Sequence, residues 1–216
     1  MQKIIFLVKQ LVKKIFHFMM YLFYIVFSPK IINILIIYLN QLYTMWKINE
    51  FKKVGSNAYF NFPMYLHGGK YISLGSKFSS SVRLRIEAYD EHLGYKFFPK
   101  IIIGNNVSIN SDCHIGAINE IIIEDGVLIA SKVYITDHYH GEISTQAIDI
   151  APSERKLYSK GTVKIEKNVW IGEGVVILPN VIIGQNSIIG ANSVITKSIP
   201  KNSVVGGNPG KIIRTL

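Results

Sequence analysis

Isoleucine stands at positions 165, 171, 177, 183, 189 and 195 without a slip. A helix repeats every 3.6 residues and a strand every 2, so neither period accounts for this spacing. A six-residue period marks a parallel β-helix, in which each six residues form one flat side of a three-sided coil. Eighteen residues then complete a turn. Ile165 is predicted to stack on Ile183, Ile171 on Ile189 and Ile177 on Ile195, at an inter-strand spacing of about 4.8 Å. Together the inward isoleucines form a core that no single coil could bury alone. Gly172, Gly184 and Gly190 follow their isoleucines and are predicted at corners, where a small or left-handed residue is least costly.

Upstream, the same spacing is interrupted in informative places. Val54, Phe60, Leu66 and Ile72 hint at the first coil, and Leu74, Ser80 and Ile86 give a cleaner register. Residues 87–100, rich in charge and aromatic rings, read as a loop projecting from a corner. The repeat returns at Ile103, Ile109 and Ile115. The next anchor is Ile123, so two residues are inserted near Asn119-Glu120. After Ile129 and Ile135 the pattern vanishes from 136 to 163. A break longer than about 15 residues in a compact domain is usually functional or disordered. This one opens on Asp137-His138-Tyr139-His140-Gly141, which is not linker composition.

The expected organisation is a helical segment over 1–50 and a repeat domain over 54–216 with an extruded loop at 136–163. Apolar residues make up 49% of the chain, ample for a core. Cys113 is the only cysteine, so no intrachain disulfide is possible, a reducing compartment is expected, and inside a repeat the thiol is read as structural. Residues 1–53 hold eight lysines and one glutamate, +7 of the net charge of +10. The remainder has no basic stripe interleaved with aromatics, which argues against nucleic-acid binding.

The N-terminal segment mixes Lys3, Lys9, Lys13 and Lys14 with apolar residues. Two apolar runs follow, Ile15–Phe27 and Ile31–Leu39, broken by Ser28-Pro29-Lys30. Two helices are expected, each apolar run shorter than a spanning helix needs. Lysines ahead of an apolar run also fit a signal peptide, but no small-x-small site follows. The favoured reading is a membrane-surface anchor over residues 1–45, with a helical cap on the solenoid as the alternative. The expected location is the cytoplasm, peripheral on the inner face of the membrane.

His138 is the leading catalytic candidate. Imidazole titrates near neutrality and can take a proton from a hydroxyl or amine. It also stands where a regular coil gives way to the extruded loop. His140 is a second candidate, as an acceptor contact. Asp137, Glu142 and Asp149 are each able to orient an imidazole, and the sequence does not choose among them.

The isoleucine ladder, the DHYHG opening, the block VWIGEGVVILPNVIIGQNSIIGANSVITKSIP and the exit VVGGNPGKIIR resemble the left-handed β-helix, or hexapeptide-repeat, acyltransferases. Among these the chain is similar to the O-acetyltransferases of sugars and surface polysaccharides. The resemblance covers about residues 70–216 and is most specific from 165 to 214. It implies a mainly β, left-handed parallel β-helix and a homotrimer with its active site between chains. Acetyl-CoA would be the co-substrate and a glycan the acceptor, with no metal. Matched residue by residue, it implies His138 as catalytic base and Asn110 facing the acceptor hydroxyl. Trp170 and Gly172 of the VWIG turn, Ala191, Thr196 and Lys197 fall along the CoA groove, with Lys211 and Arg214 near its phosphates. Two departures stand out: Glu173 replaces a small residue, and Tyr139-His140-Gly141 follows the histidine where sugar enzymes carry proline.

The expected function is therefore acetyl transfer to a sugar hydroxyl in surface-polysaccharide synthesis, with N-acetylation of an amino sugar as runner-up. A zinc enzyme of the carbonic anhydrase type would need three converging histidines, and His114, His138 and His140 have unsuitable spacing. A non-enzymatic solenoid would have regular threonine or serine rows and no extruded loop.

Overall fold

The structure is a computed structural model that describes residues 1–142 and 149–216. It divides into two compact units, Met1–Leu42 and Tyr43–Leu216. The second is a three-sided parallel β-helix. Short strands stack into three sheets, and consecutive strands pass from one sheet to the next. The predicted register holds, with Ile165 opposite Ile183, Ile171 opposite Ile189 and Ile177 opposite Ile195. All six are buried.

The register survives each interruption. Ile123, Ile129 and Ile135 pair with Ile165, Ile171 and Ile177 across the extruded segment. Ile103, Ile109 and Ile115 pair with Ile123, Ile129 and Ile135. The two inserted residues therefore sit at the corner near Asn119. Leu74, Ser80 and Ile86 continue the columns, and Val54, Phe60 and Leu66 begin them. Insertions are tolerated because they leave at corners. One residue of slip within a strand would turn every isoleucine outward.

At the corners the glycines that follow isoleucines serve as small residues and not as left-handed ones. Gly172, Gly184 and Gly190 are not left-handed. The left-handed residue comes two positions later, at Gly174 (φ 69°), Asn186 (φ 60°) and Asn192 (φ 58°). Asparagine tolerates that conformation, and its amides stack: Asn168 Nδ2 donates to Asn186 Oδ1 at 3.4 Å and Asn186 Nδ2 to Asn202 Oδ1 at 3.0 Å. Gly172 is required by proximity instead, since a Cβ there would lie 2.6 Å from the Ala191 backbone nitrogen. Gly190 has more room, its nearest neighbour being Val205 O at 3.2 Å. Gly172→Ala is accordingly expected to cost about 1–3 kcal/mol in urea unfolding, and Gly190→Ala less than half of that. Equal costs would show that this corner yields freely.

Cys113 is buried, its Sγ–H donating to Ala130 O at 3.0 Å. Burial pushes the thiol up to about 11, so it stays a neutral packing group.

Helix α1 spans Gln2–Val26 and α2 spans Pro29–Lys47. The break falls at Pro29, as expected. The length expectation for the second run needs correction. The helix continues through Glu50, 22 residues in all, and by length and composition is sufficient to cross a membrane. Its last turns, however, belong to the solenoid. Thr44 Oγ1 accepts from the Phe60 N–H at 2.9 Å and donates back to Phe60 O at 3.3 Å. That closes the open edge of the first coil, which would otherwise present unpaired backbone groups. Phe51 stacks on Phe60 at 5.6 Å and seals the end of the core.

The two interruptions have structure of their own. Glu91–His92 and Tyr95–Lys96 pair as an antiparallel hairpin. His138–Tyr139 pairs antiparallel with Tyr158–Ser159 at the neck of the extruded segment. The middle of that segment, 143–148, lies outside the described residues.

Candidate active site

One side of the prism carries the chemistry. Strand pairing aligns two outward columns on it. Arg85, His114 and Tyr134 form the first, and Glu87, Gly116 and Thr136 the second. Gly116 leaves a notch in the second column. Two imidazoles lie against it: a Cβ there would be 3.5 Å from both His114 Nε2 and His138 Cε1.

His138 is held from behind. Asp137 is fully buried, and its two carboxylate oxygens accept the N–H groups of Ile118 (3.0 Å) and Asn119 (2.8 Å). The two-residue insertion at this corner supplies those donors. Asp137 Oδ1 also lies 3.0 Å from His138 Nδ1. The carboxylate already accepts two N–H groups, so Nδ1 is assigned as the donor of this third contact, which leaves the Nε2 lone pair free. The His138 N–H donates to Thr136 Oγ1 at 3.2 Å, and that hydroxyl donates to His138 O at 3.1 Å. Of the three acids open from sequence, the structure selects Asp137.

The ring enters a cleft of about 220 Å³ whose lining includes Arg85, Glu87, His92, His114, His138 and His140. Glu87 accepts from Arg85 Nε at 2.8 Å and lies 3.0 Å from His114 Nε2. Burial opposes its ionisation, but Arg85, Tyr89 and His114 outweigh burial and hold its carboxyl below the usual range. Burial, aided by the Arg85 charge, pushes His114 below its ordinary value. The floor is therefore an anionic carboxylate beside a neutral imidazole. Over it, His92 on the hairpin approaches His140 on the extruded segment, ring centroids 6.3 Å apart. Lys156 lies over the Tyr95 ring at 4.9 Å and ties the two insertions together. His92 Nε2 is buried with no hydrogen-bond partner among the described residues.

The bacterial transferase hexapeptide (six repeats) model matches residues 162–197. WbbJ of Escherichia coli (strain K12), assigned to lipopolysaccharide biosynthesis as an O-acetyl transferase, is 41% identical over 157 residues. That match takes in 71% of this chain and 76% of WbbJ. The chain belongs to the hexapeptide-repeat acetyltransferases. The fold is thus the family's left-handed parallel β-helix, carrying N-terminal helices.

Other members align less fully. The galactoside O-acetyltransferase of E. coli (strain K12) is 33% identical, over 77% of this chain and 64% of its own length. A maltose O-acetyltransferase structure from Clostridium difficile 630 superposes with a TM-score of 0.52 at 29% identity, covering 78% of this chain and 71% of that one. AntD, an N-acyltransferase from Bacillus cereus solved with dTDP and coenzyme A, gives a TM-score of 0.65 at 22% identity, over 80% of this chain and 87% of its own. At that identity it shares the fold.

Within this hexapeptide-repeat chain, His138 and His140 meet in the cleft, and Asn110 does not line it. Asn110 and Gly172 share the corner column that follows the isoleucines of the preceding side. A whole side of the prism, about 15–20 Å, separates that corner from His138. Trp170 is half exposed, and Gly172 packs on the Ala191 backbone one coil on. Thr196 and Lys197 are exposed at the corner after Ile195. Lys211 and Arg214 are exposed on the closing strand Lys211–Thr215. None of these three cations forms an ion pair among the described residues. Glu173, the departure noted in the sequence, pairs with Lys132 at 3.2 Å.

The sequence offers His114 only as a metal ligand. Its Nε2 instead engages Glu87, and no cluster of three potential ligands occurs among the described residues. The sequence alone does not single out Arg85, Glu87 and His92. A signal existed for two of them: residues flanking the inward Ile86 and Ile115 must stack on one outer face.

Proposed function

We propose that this acetyltransferase moves the acetyl group of acetyl-CoA to a hydroxyl of a sugar in surface-polysaccharide synthesis. The observation that carries the reading is the buried Asp137 behind His138, which leaves Nε2 facing a polar cleft. An acetyl thioester is already activated, so the protein must align the reactants and handle one proton. Alignment contributes about 7–11 kcal/mol of such barriers. His138 Nε2 takes the hydroxyl proton as the oxygen attacks the thioester carbon. The imidazolium that forms is stabilised by Asp137, and CoA leaves as the thiol after receiving that proton. Glu87, His114, His92 and His140 contact the other hydroxyls of the ring.

Acetyl-CoA is held along the corner of Trp170, Gly172 and Ala191 and reaches Thr196 and Lys197 at the corner after Ile195, with Lys211 and Arg214 toward its phosphates. The bare backbone at Gly172 and Ala191 suits a narrow pantetheine arm, and the unpaired cations suit phosphate. The Gly172 corner and His138 lie a full side apart within one chain. A complete site therefore takes the corner of a second chain, with its Asn110, which fits a homotrimer.

The test is CoA-thiol release from acetyl-CoA with a panel of methyl glycosides and oligosaccharides, each with only hydroxyls or with one free amine. Turnover of hydroxyl-only acceptors, with an alkali-labile acetyl ester in the product, is expected. Turnover restricted to amine-bearing sugars, giving an alkali-stable amide, would replace this reading by N-acetylation.

A further inference from the structure

We infer that helix α1 is an in-plane anchor that holds the protein on an anionic membrane surface without crossing it. The first 42 residues carry five lysines and no acid. At 100° per residue, Lys3, Lys9, Gln10, Lys13, Lys14 and His17 fall within one arc of about 140° on α1. Gln10, Lys13, Lys14 and His17 also line one shared surface depression. Phe6 alone interrupts the arc in the first 17 residues. The opposite arc carries Val8, Leu11, Val12, Ile15, Met19 and Phe23, each at least half exposed. No residue of α1 is buried. A soluble chain rarely leaves so large an apolar stripe uncovered. A cationic stripe along an apolar face fits the boundary between anionic headgroups and acyl chains.

Crossing is disfavoured for each helix by a separate observation. On α1 the lysines reach the middle of the helix, where each at mid-bilayer depth lowers partition by about 10²-fold. The 22-residue helix beginning at Pro29 passes on length and composition. Tyr43 and Lys47, however, belong to the unit that Thr44 closes against Phe60. Only 31–42 remain for lipid, about 18 Å of helix against a hydrocarbon core of about 30 Å. The lysine arc selects anionic lipid, because each lysine near such a surface adds about fivefold to partition at moderate salt.

The full-length protein is sedimented with vesicles of phosphatidylcholine alone and with vesicles containing 30% phosphatidylglycerol. Binding is expected to the anionic vesicles, to be at least tenfold weaker on phosphatidylcholine, and to fall in high salt. The triple variant Lys9→Gln, Lys13→Gln, Lys14→Gln is expected to lose about 100-fold in binding while keeping its oligomeric state. Leu11→Asp with Ile15→Asp is expected to lose binding on all vesicles. Equal binding to both vesicle types, or none to either, overturns the proposal. So does a change of oligomeric state in the aspartate variant with vesicle binding intact, which would assign the stripe to contacts between copies. None of these readouts uses acetyl transfer, so their failure is separate from any failure of the enzymatic reading.

Discussion

His138→Ala is expected to lower kcat by about 10²–10⁴, the usual contribution of a positioned general base, with the KM for acetyl-CoA nearly unchanged. The split follows from the geometry. His138 lines the cleft, while Lys211 and Arg214, assigned to the CoA phosphates, stand outside it on the closing strand. Removing the ring takes away a proton acceptor and leaves the cofactor contacts in place. Folding should be little affected, because the inward columns and the Asp137 contacts to Ile118 and Asn119 remain. His140→Ala, exposed and on the cleft's rim, should cost much less. A variant at position 138 that retains more than a tenth of wild-type kcat would remove the histidine from the role of base.

Asp137→Asn is the second large effect, and it should appear in both stability and rate. The carboxylate accepts two backbone N–H groups and faces His138 Nδ1. A carboxamide has one oxygen for these partners and sets an N–H against another donor. One buried donor left unmet costs about 1–3 kcal/mol, visible as a lower urea midpoint. The amide also favours the opposite imidazole tautomer, with the proton on Nε2 where the lone pair is needed. Loss of roughly 10²–10⁴ in kcat is expected, by analogy with an aspartate that orients a catalytic histidine in a triad. A drop in stability with kcat unchanged would reduce Asp137 to a structural corner residue. His138 would then work without an orienting acid.

Much of the fold was legible because the β-helix is nearly one-dimensional. Each coil meets only its neighbours, so a spacing of six residues translates directly into which side chains touch. The ladder from Ile165 to Ile195, the inserted pair near Asn119 and the resumption after the extruded segment all follow from counting. The corners were less legible. Glycine satisfies both a left-handed turn and a close approach, and sequence does not say which is needed. At Gly172 the answer lay in the backbone of Ala191, one coil away.

The sequence by itself determined the solenoid, its register, the exit points of its insertions and the histidine at the mouth of the longer one. These depend on periodicity, and periodicity is a property of the string. Only the tertiary structure decided that Asp137, and not Glu142 or Asp149, stands behind that histidine. Its choice depends on two backbone N–H groups, nineteen and eighteen residues earlier, that happen to point at the same corner. Only the tertiary structure placed Glu87 against His114 and brought His92 over the cleft. Those contacts arise from hydrogen bonds and charges converging from separate coils and insertions. Their partners have no fixed spacing in the chain, so no period announces them.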